Sequence, residues 1–267
     1  MSSENHTSQL PELRQSAHNW LCETDVELKV KGVLALKEVN LSIATSQYLC
    51  ASQPTPGVPI KPELVPPLAL PKRSMRTLEG RATLIHALAH IEFNAINLAL
   101  DAIWRFSDMP ENYYRDWLKV AVEEAYHFSL LNTHLQSLGY EYGSFAGHNS
   151  LWEMVDRTKN DVLARMALVP RTMEARGLDA TPSTINKFAQ LSDTKMVNIL
   201  TIILRDEIGH VAIGNVWYNW LCVQRNLEPI TTFASLCQQY NAPKLKPPFN
   251  LEARRQAGFS EAELALL

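Results

Sequence analysis

The 267-residue sequence predicts an all-α fold, an antiparallel four-helix bundle with extra N-terminal helices and a C-terminal tail. Three observations point to it. Apolar residues recur at helical spacing over long stretches, no useful length of strand-like alternation is present, and turn residues cut the chain into pieces of helix length.

In chain order, residues 10–49 place Leu10, Leu13, Ala17, Leu21, Leu28 and Leu34 among polar residues, with no proline after Pro11. A mostly helical arm is expected there. Pro54 to Pro71 holds seven prolines, and because proline has no N–H to donate, the stretch is expected to run extended over the surface. A strap against the domain is preferred to a docking ligand. Long helices are expected at 77–106, 112–138, 150–177 and 193–223, with a short one at 183–191. Ser107–Asn112, Gly139–Gly147 and Gly177–Pro182 supply the breaks. After Pro229 come a short helical stretch, Pro243 to Phe249, and an amphipathic end that is expected to pack back on the bundle. Arm and strap (1–76), bundle (77–223) and tail (224–267) are expected to form one domain.

Composition narrows the function classes. A net charge of −3 argues against a dedicated nucleic-acid binder. Basic residues at Lys72, Arg73, Arg76 and Arg81, and at Lys244, Lys246, Arg254 and Arg255, keep that reading as a third choice. Met1 to Gln9 is polar with no apolar run behind it, so no secretory signal is expected. The most apolar run, Met196 to Leu204, contains Asn198 and Thr201 and is too short for a membrane span. Cys22, Cys50, Cys222 and Cys237 show no paired spacing, which fits reduced thiols in a cytoplasmic protein.

Two copies of one pattern carry the chemistry: Glu123-Glu124-Ala-Tyr-His127 and Asp206-Glu207-Ile-Gly-His210. Residues three apart share a helix face, so each Glu-x-x-His pair offers an oxygen and a nitrogen to one point. With 8 histidines in the chain, chance alone supplies roughly half a copy of Glu-x-x-His. Helix faces add weight. Glu92 falls among Ile85, Leu88, Ala95, Ile96, Ala99 and Ile103. Glu124 falls among Trp117, Ala121, Ala125, Phe128, Leu131 and Leu135, while Glu123 points off that face. Glu207 shares a face with Met196, Leu200, Ile203, Val211 and Leu221, with Asp206 on its flank. On the third helix Glu174 aligns with Leu163, Ala167 and Pro170.

A carboxylate in an apolar face must be protonated, paired or metal-bound. No Lys or Arg shares these faces, so a metal is favoured over a buried salt-bridge network. Spacing repeats as well: 32 residues separate Glu92 from Glu124, and 33 separate Glu174 from Glu207. Two Glu-x-x-His helices and two helices with one Glu each describe a dinuclear carboxylate site. The expected ligands are Glu92, Glu124, His127, Glu174, Glu207 and His210, with Glu153 as the rival to Glu174. Glu174 lies near the expected end of its helix, which leaves residues 178–192 to make up roughly 16 Å. Oxygen-rich ligation with two imidazoles suits two iron ions, or manganese or a mixed pair, better than zinc or copper. Glu123 and Asp206 are placed to orient the histidine of the opposite helix. Tyr126 is a hydrogen-bond or radical candidate, and a core aromatic otherwise. His86 and His90, beside Asn97 and Asp101, are expected at the surface or in a polar layer.

On this ligand plan the chain resembles the ferritin-like di-iron carboxylate superfamily. His86-Ala-Leu-Ala-His-Ile-Glu92, Val169-Pro-Arg-Thr-Met-Glu-Ala-Arg-Gly-Leu-Asp179 and Pro247-Pro-Phe-Asn250 are similar to an uncharacterised ferritin-like family, domain of unknown function 455, from about residue 10 to the C-terminus. That resemblance implies Glu174 in preference to Glu153. More distantly, the chain is similar to non-haem di-iron tRNA hydroxylases. From that distant likeness only the ligand plan is carried over; the superfamily resemblance implies a ferritin-like bundle, a dioxygen-activating hydroxylase or oxidase is the leading expectation, and no nucleotide cofactor is expected. A ferroxidase, peroxide-detoxifying or metal-storage protein is the first alternative, and a tRNA-modifying hydroxylase the second. The expected partners are an unidentified substrate, an electron-donor protein and a second copy of the chain, with no membrane.

Overall fold

A computed structural model describes residues 10–51, 53–71 and 73–267. Met1 to Gln9 and Lys72, to which the signal and phosphate-contact readings refer, lie outside these residues. Among the described residues the regular structure is helical, with only isolated bridges between Glu12 and Ser42 and between Leu64 and Gly147.

The arm forms α1 (Leu13–Cys22) and α2 (Val26–Ala35), followed by a single 3₁₀ turn at Leu36–Glu38. Helix therefore stops well short of residue 49. Buried Arg14 explains why: its guanidinium donates to the carbonyls of Ala44 (2.8 Å), Thr45 (3.4 Å) and Gln47, which a helix would have consumed. It also donates to Ile103 O (3.3 Å) and Trp104 O (3.0 Å), in the last turn of the first bundle helix. A cation there satisfies orphan carbonyls and suits the negative end of the helix dipole.

The proline-rich stretch runs extended apart from a 3₁₀ turn at Pro67–Ala69. It is held as a strap, Val65 N–H donating to Gly147 O and Gly147 N–H to Glu63 O, both at 2.9 Å.

The bundle begins with α3 (Leu78–Arg105), capped by Thr77, and α4 (Glu111–Ser137), which follows Pro110. These two pack along their lengths as a hairpin. The expected third helix is divided. α5 (Ser150–Arg157) stops at Thr158, whose hydroxyl turns inward to Met154 O (2.8 Å) and accepts from Arg165 Nε (2.9 Å). α6 (Val162–Leu168) restarts with Asp161 as its cap. It passes directly into a π-helical turn at Val169–Glu174 and on into α7 (Ala175–Gln190).

Gly177 to Pro182 is thus not the break the sequence predicted, and residues 183–191 are no separate helix. Pro182 leaves the carbonyl of Leu178, four residues earlier, without its helical donor. Asn250 Nδ2 donates to that oxygen instead, at 3.2 Å. α8 (Thr194–Gln224) follows, capped by Asp193.

Because α7 continues to Gln190, the expected offset disappears. Glu92 lies 13 residues before the end of α3 and Glu124 13 after the start of α4. Glu174 lies 16 residues before the end of α7 and Glu207 13 after the start of α8. Both hairpins bring their carboxylates level.

The remaining helices are α9 (Pro229–Gln239), α10 (Leu251–Gln256) and α11 (Glu261–Leu264), the last with a capping box from Ser260 and Glu263. α10 packs on α7 and α8 through Ala253 and Ala257 against Ala175, Leu178 and Val211. A buried ion network fastens α3 to α6: Asp101 pairs with Arg165 and Arg105, both at 2.5 Å. No helix among the described residues is long and apolar enough to cross a membrane.

Candidate metal centre

At mid-height of the bundle, ligand-type atoms of Glu92, Glu124, His127 and Glu207 all lie within 4.8 Å of one another, and all four residues are buried. Glu124 is central. Its Oε2 lies 3.4 Å from His127 Nδ1 and its Oε1 3.0 Å from His210 Nδ1. Glu92 Oε2 completes one half at 3.4 Å from His127 Nδ1, and Glu207 Oε1 the other at 3.4 Å from His210 Nδ1. The two rings stand 5.8 Å apart. One carboxylate thus faces both imidazoles, and each imidazole has a further carboxylate of its own.

Behind the rings the helices exchange acids. His127 Nε2 meets Asp206 Oδ2 of α8 at 3.1 Å, and His210 Nε2 meets Glu123 Oε2 of α4 at 2.9 Å. Each acid precedes a cluster Glu by one residue, so it points to the flank while the Glu points inward. An acid accepting from Nε2–H directs the Nδ1 lone pair into the cluster, as acids behind metal-ligating histidines do. Arg205 in turn holds Asp206 at 2.8 Å.

Glu174 is buried at the same level, with neither side-chain oxygen hydrogen-bonded. Burial, then the charges of Glu207 and Glu124, push its carboxyl well above the usual range. Its rival Glu153 is exposed on α5, 3.7 Å from Arg157, and takes no part in the cluster. Tyr126 is neither core nor cluster: it is 45% exposed, because it occupies the outer face of α4.

His86 and His90 are both buried, so the polar-layer alternative describes them and the surface one does not. His90 contacts Tyr142 OH (2.8 Å) and His148 O (3.0 Å), and His86 Nε2 accepts from Gly143 N–H (2.9 Å). They bind the loop after α4 under the strap, beside a cavity of about 30 Å³ lined by His90, Asn94 and Asn97, room for about one water. Of the basic residues considered as phosphate contacts, Arg254 is buried and paired with Asp179 at 2.6 Å. Arg73 pairs with Glu79, and Arg255 with Glu261.

The cluster's electrostatics ask for a cation. Burial lifts Glu92 to about 8, with the charge of Glu124 adding to it. Burial alone would lower His127, yet the facing carboxylates of Glu124 and Glu92, each 3.4 Å from its Nδ1, outweigh it and raise the imidazole to about 11. Burial lowers and then Glu124 and Glu207 raise His210, with the net direction strongly upward. Without metal, protons answer the negative charge. Even so, both oxygens of Glu124 and of Glu174, and Nδ1 of His127 and His210, have no aligned hydrogen bond. Among the described residues no Lys or Arg forms an ion pair with the four inner carboxylates. A buried donor set of this kind fits divalent metal, with hard oxygens and imidazole nitrogens and no thiolate.

An all-helical bundle with a buried carboxylate and imidazole cluster at its centre defines the class: a helical protein with a candidate metal-binding core. The chain belongs to the family described as protein of unknown function (DUF455), which matches residues 22–265. It is 54% identical over 213 residues to a protein of Haemophilus influenzae described as uncharacterized, covering 77% of this chain and 74% of that one. No solved structure matches the chain.

Two buried arginines of the third bundle segment escaped sequence reasoning. Arg165 and Arg171 sit in the apolar run Val162 to Pro170 and its edge, and both are buried. Their neighbours were the available signal, since an arginine flanked by Leu, Ala, Met and Val on a helix must itself be covered.

Proposed function

We propose that the protein is a ferritin-like dinuclear iron or manganese oxidoreductase, a dioxygen-activating hydroxylase or oxidase of a specific substrate. Glu92 and His127 would hold one ion, Glu174, Glu207 and His210 the other, and Glu124 both. The observation that carries this reading is Glu124, facing two imidazoles whose far nitrogens are each tied to an acid of the opposite helix. Reduced iron bound there supplies the means to activate dioxygen.

The chain's own groups do the rest. Asp206 and Glu123 fix ring orientation and tautomer. The carboxylates of Glu92, Glu124, Glu174 and Glu207 would balance the charge of the bound ions. Packing of Trp117, Ala121, Ala125 and Phe128 around α4 keeps bulk water from the cluster. Two electrons would come from a reductase or small carrier protein, and the four free cysteines suit a reducing cytoplasm.

The long arm, the strap and the tail are more than a storage subunit requires, which favours a defined substrate over ferroxidase or storage duty. Elemental analysis of the purified protein tests the proposal. Two iron or manganese ions per chain are expected, with a lower thermal midpoint after chelation. Protein that carries neither metal, cannot be loaded with either, and is indifferent to chelator sinks it.

A further inference from the structure

Two stretches that carry the family resemblance, Val169–Asp179 and Pro247–Asn250, are far apart in the chain and meet in space. Asn250 N–H donates to Asp179 Oδ1 (2.9 Å) and its Nδ2 to Leu178 O (3.2 Å), the oxygen left without a donor by Pro182. Its own Oδ1 accepts from Ala253 N–H at 3.2 Å and caps α10. Arg254, fully buried, grips Asp179 through Nε (3.0 Å) and Nη2 (2.6 Å).

On the other side of Glu174, Arg171 projects from the π turn and pairs with Glu263 of α11. Its guanidinium is enclosed by Tyr218 (4.4 Å), Phe233 (4.9 Å) and Phe259 (5.0 Å). Arg254 lies over the same Phe259 ring at 5.4 Å. The tail therefore seizes the helix three residues before Glu174 and again four and five residues after it.

Glu174 has no hydrogen bond of its own, so its place is set by the backbone that carries it. That backbone is irregular, a π turn followed by a helix with an internal proline. A π turn and an internal proline both interrupt the regular i to i−4 ladder, so contacts from outside the helix help to fix the segment's course.

We propose that the C-terminal segment is a splint that positions Glu174 for metal binding, with Asn250, Arg254 and Glu263 as positioning residues. This rests on the metal-centre reading of the site. It assigns the tail a chemical purpose, delivery of one ligand to one of two ions.

The test uses the full-length chain, Co(II) as probe, stoichiometry by titration, and the visible absorption of the bound cobalt. Wild type is expected to take two ions. Asn250→Ala and Glu263→Gln are each expected to bind one of the two at least tenfold more weakly, with altered cobalt bands, while the other ion is retained. Glu263→Asp, which keeps the charge facing Arg171, is expected to recover the wild-type bands. Should the alanine variant fail to fold, Asn250→Asp keeps an α10 cap while setting a carboxylate oxygen against Leu178 O in place of the donor. Two ions bound with unchanged affinity and spectrum in Glu263→Gln and in the Asn250 variant overturn the splint, whatever happens to their melting temperatures. A wild-type chain that binds no metal overturns the reading of the centre instead.

Discussion

Glu124 and the acids behind the histidines do different work, and substitutions separate them. Glu124→Ala removes the carboxylate that faces both rings and is expected to abolish binding of both ions. Asp206→Asn leaves every inner donor in place and is expected to weaken affinity by about 10–100-fold while preserving two binding events. Chelator-competition titrations distinguish these outcomes, and equal losses for the two variants would count against the assigned roles.

Protonation gives a second test at this scale. In the metal-free fold Glu92 is held at about 8 against an ordinary 4.5, and His127 at about 11 against 6.5. The folded chain thus retains protons the unfolded chain has released, between pH 4.5 and 8 for Glu92 and between 6.5 and 11 for His127. Stability of the metal-free protein is expected to fall as pH rises through both windows. Bound metal replaces those protons, so loaded protein is expected to lose much less. Thermal midpoints at pH 5.5 and 8.5 with and without chelator check this, and a metal-free midpoint that rises with pH contradicts it.

Elements differ in how openly the sequence announced them. α3, α4 and α8 end within two residues of their expected bounds, because long periodic faces and strong breakers frame them. The same periodicity singled out Glu92, Glu124 and Glu207 from their acidic neighbours. The third helix was misread because Gly177 and Pro182 are local breakers whose effect is cancelled from a distance, by a tail residue some seventy positions later. No local rule sees Asn250 from Leu178. Tyr126 was misplaced for the opposite reason, since an aromatic between Glu124 and His127 invites a role that its exposed helical angle does not suit.

Close approach of α8 to the π turn has one visible requirement, the missing side chain of Gly214. A Cβ there would stand 2.5 Å from Pro170 Cβ and 2.6 Å from its Cγ. Gly214→Ala must push the turn outward, at about 1–3 kcal/mol by the usual cost of overpacking. Urea unfolding of metal-free protein measures it, and an unchanged midpoint would show that the turn yields freely.

For the molecule as a whole, assembly separates the two leading uses of such a bundle. On the proposed oxidoreductase reading, which needs access for a substrate and an electron donor, a monomer or dimer is expected by light scattering. A large hollow shell would move the reading to storage. The arm and tail bear on this outcome: the arm lies against α3 and α4, and the tail against α7 and α8, so both hairpins wear a layer that bare storage helices lack.

The absence of lysine and arginine from the inner cluster has a consequence for which ions can live there. Four carboxylates and two neutral imidazoles reach electroneutrality with two divalent cations and with no other pair of equal ions. Monovalent ions leave the interior negative, and two trivalent ions overfill it. If the bound pair is redox-active, as proposed, an electron withdrawn would leave excess positive charge inside, which the release of a proton would offset. The midpoint potential of the metal-loaded protein is accordingly expected to drop by about 59 mV per pH unit for each one-electron, one-proton step, so that this chain would couple its redox state to the acidity of its surroundings.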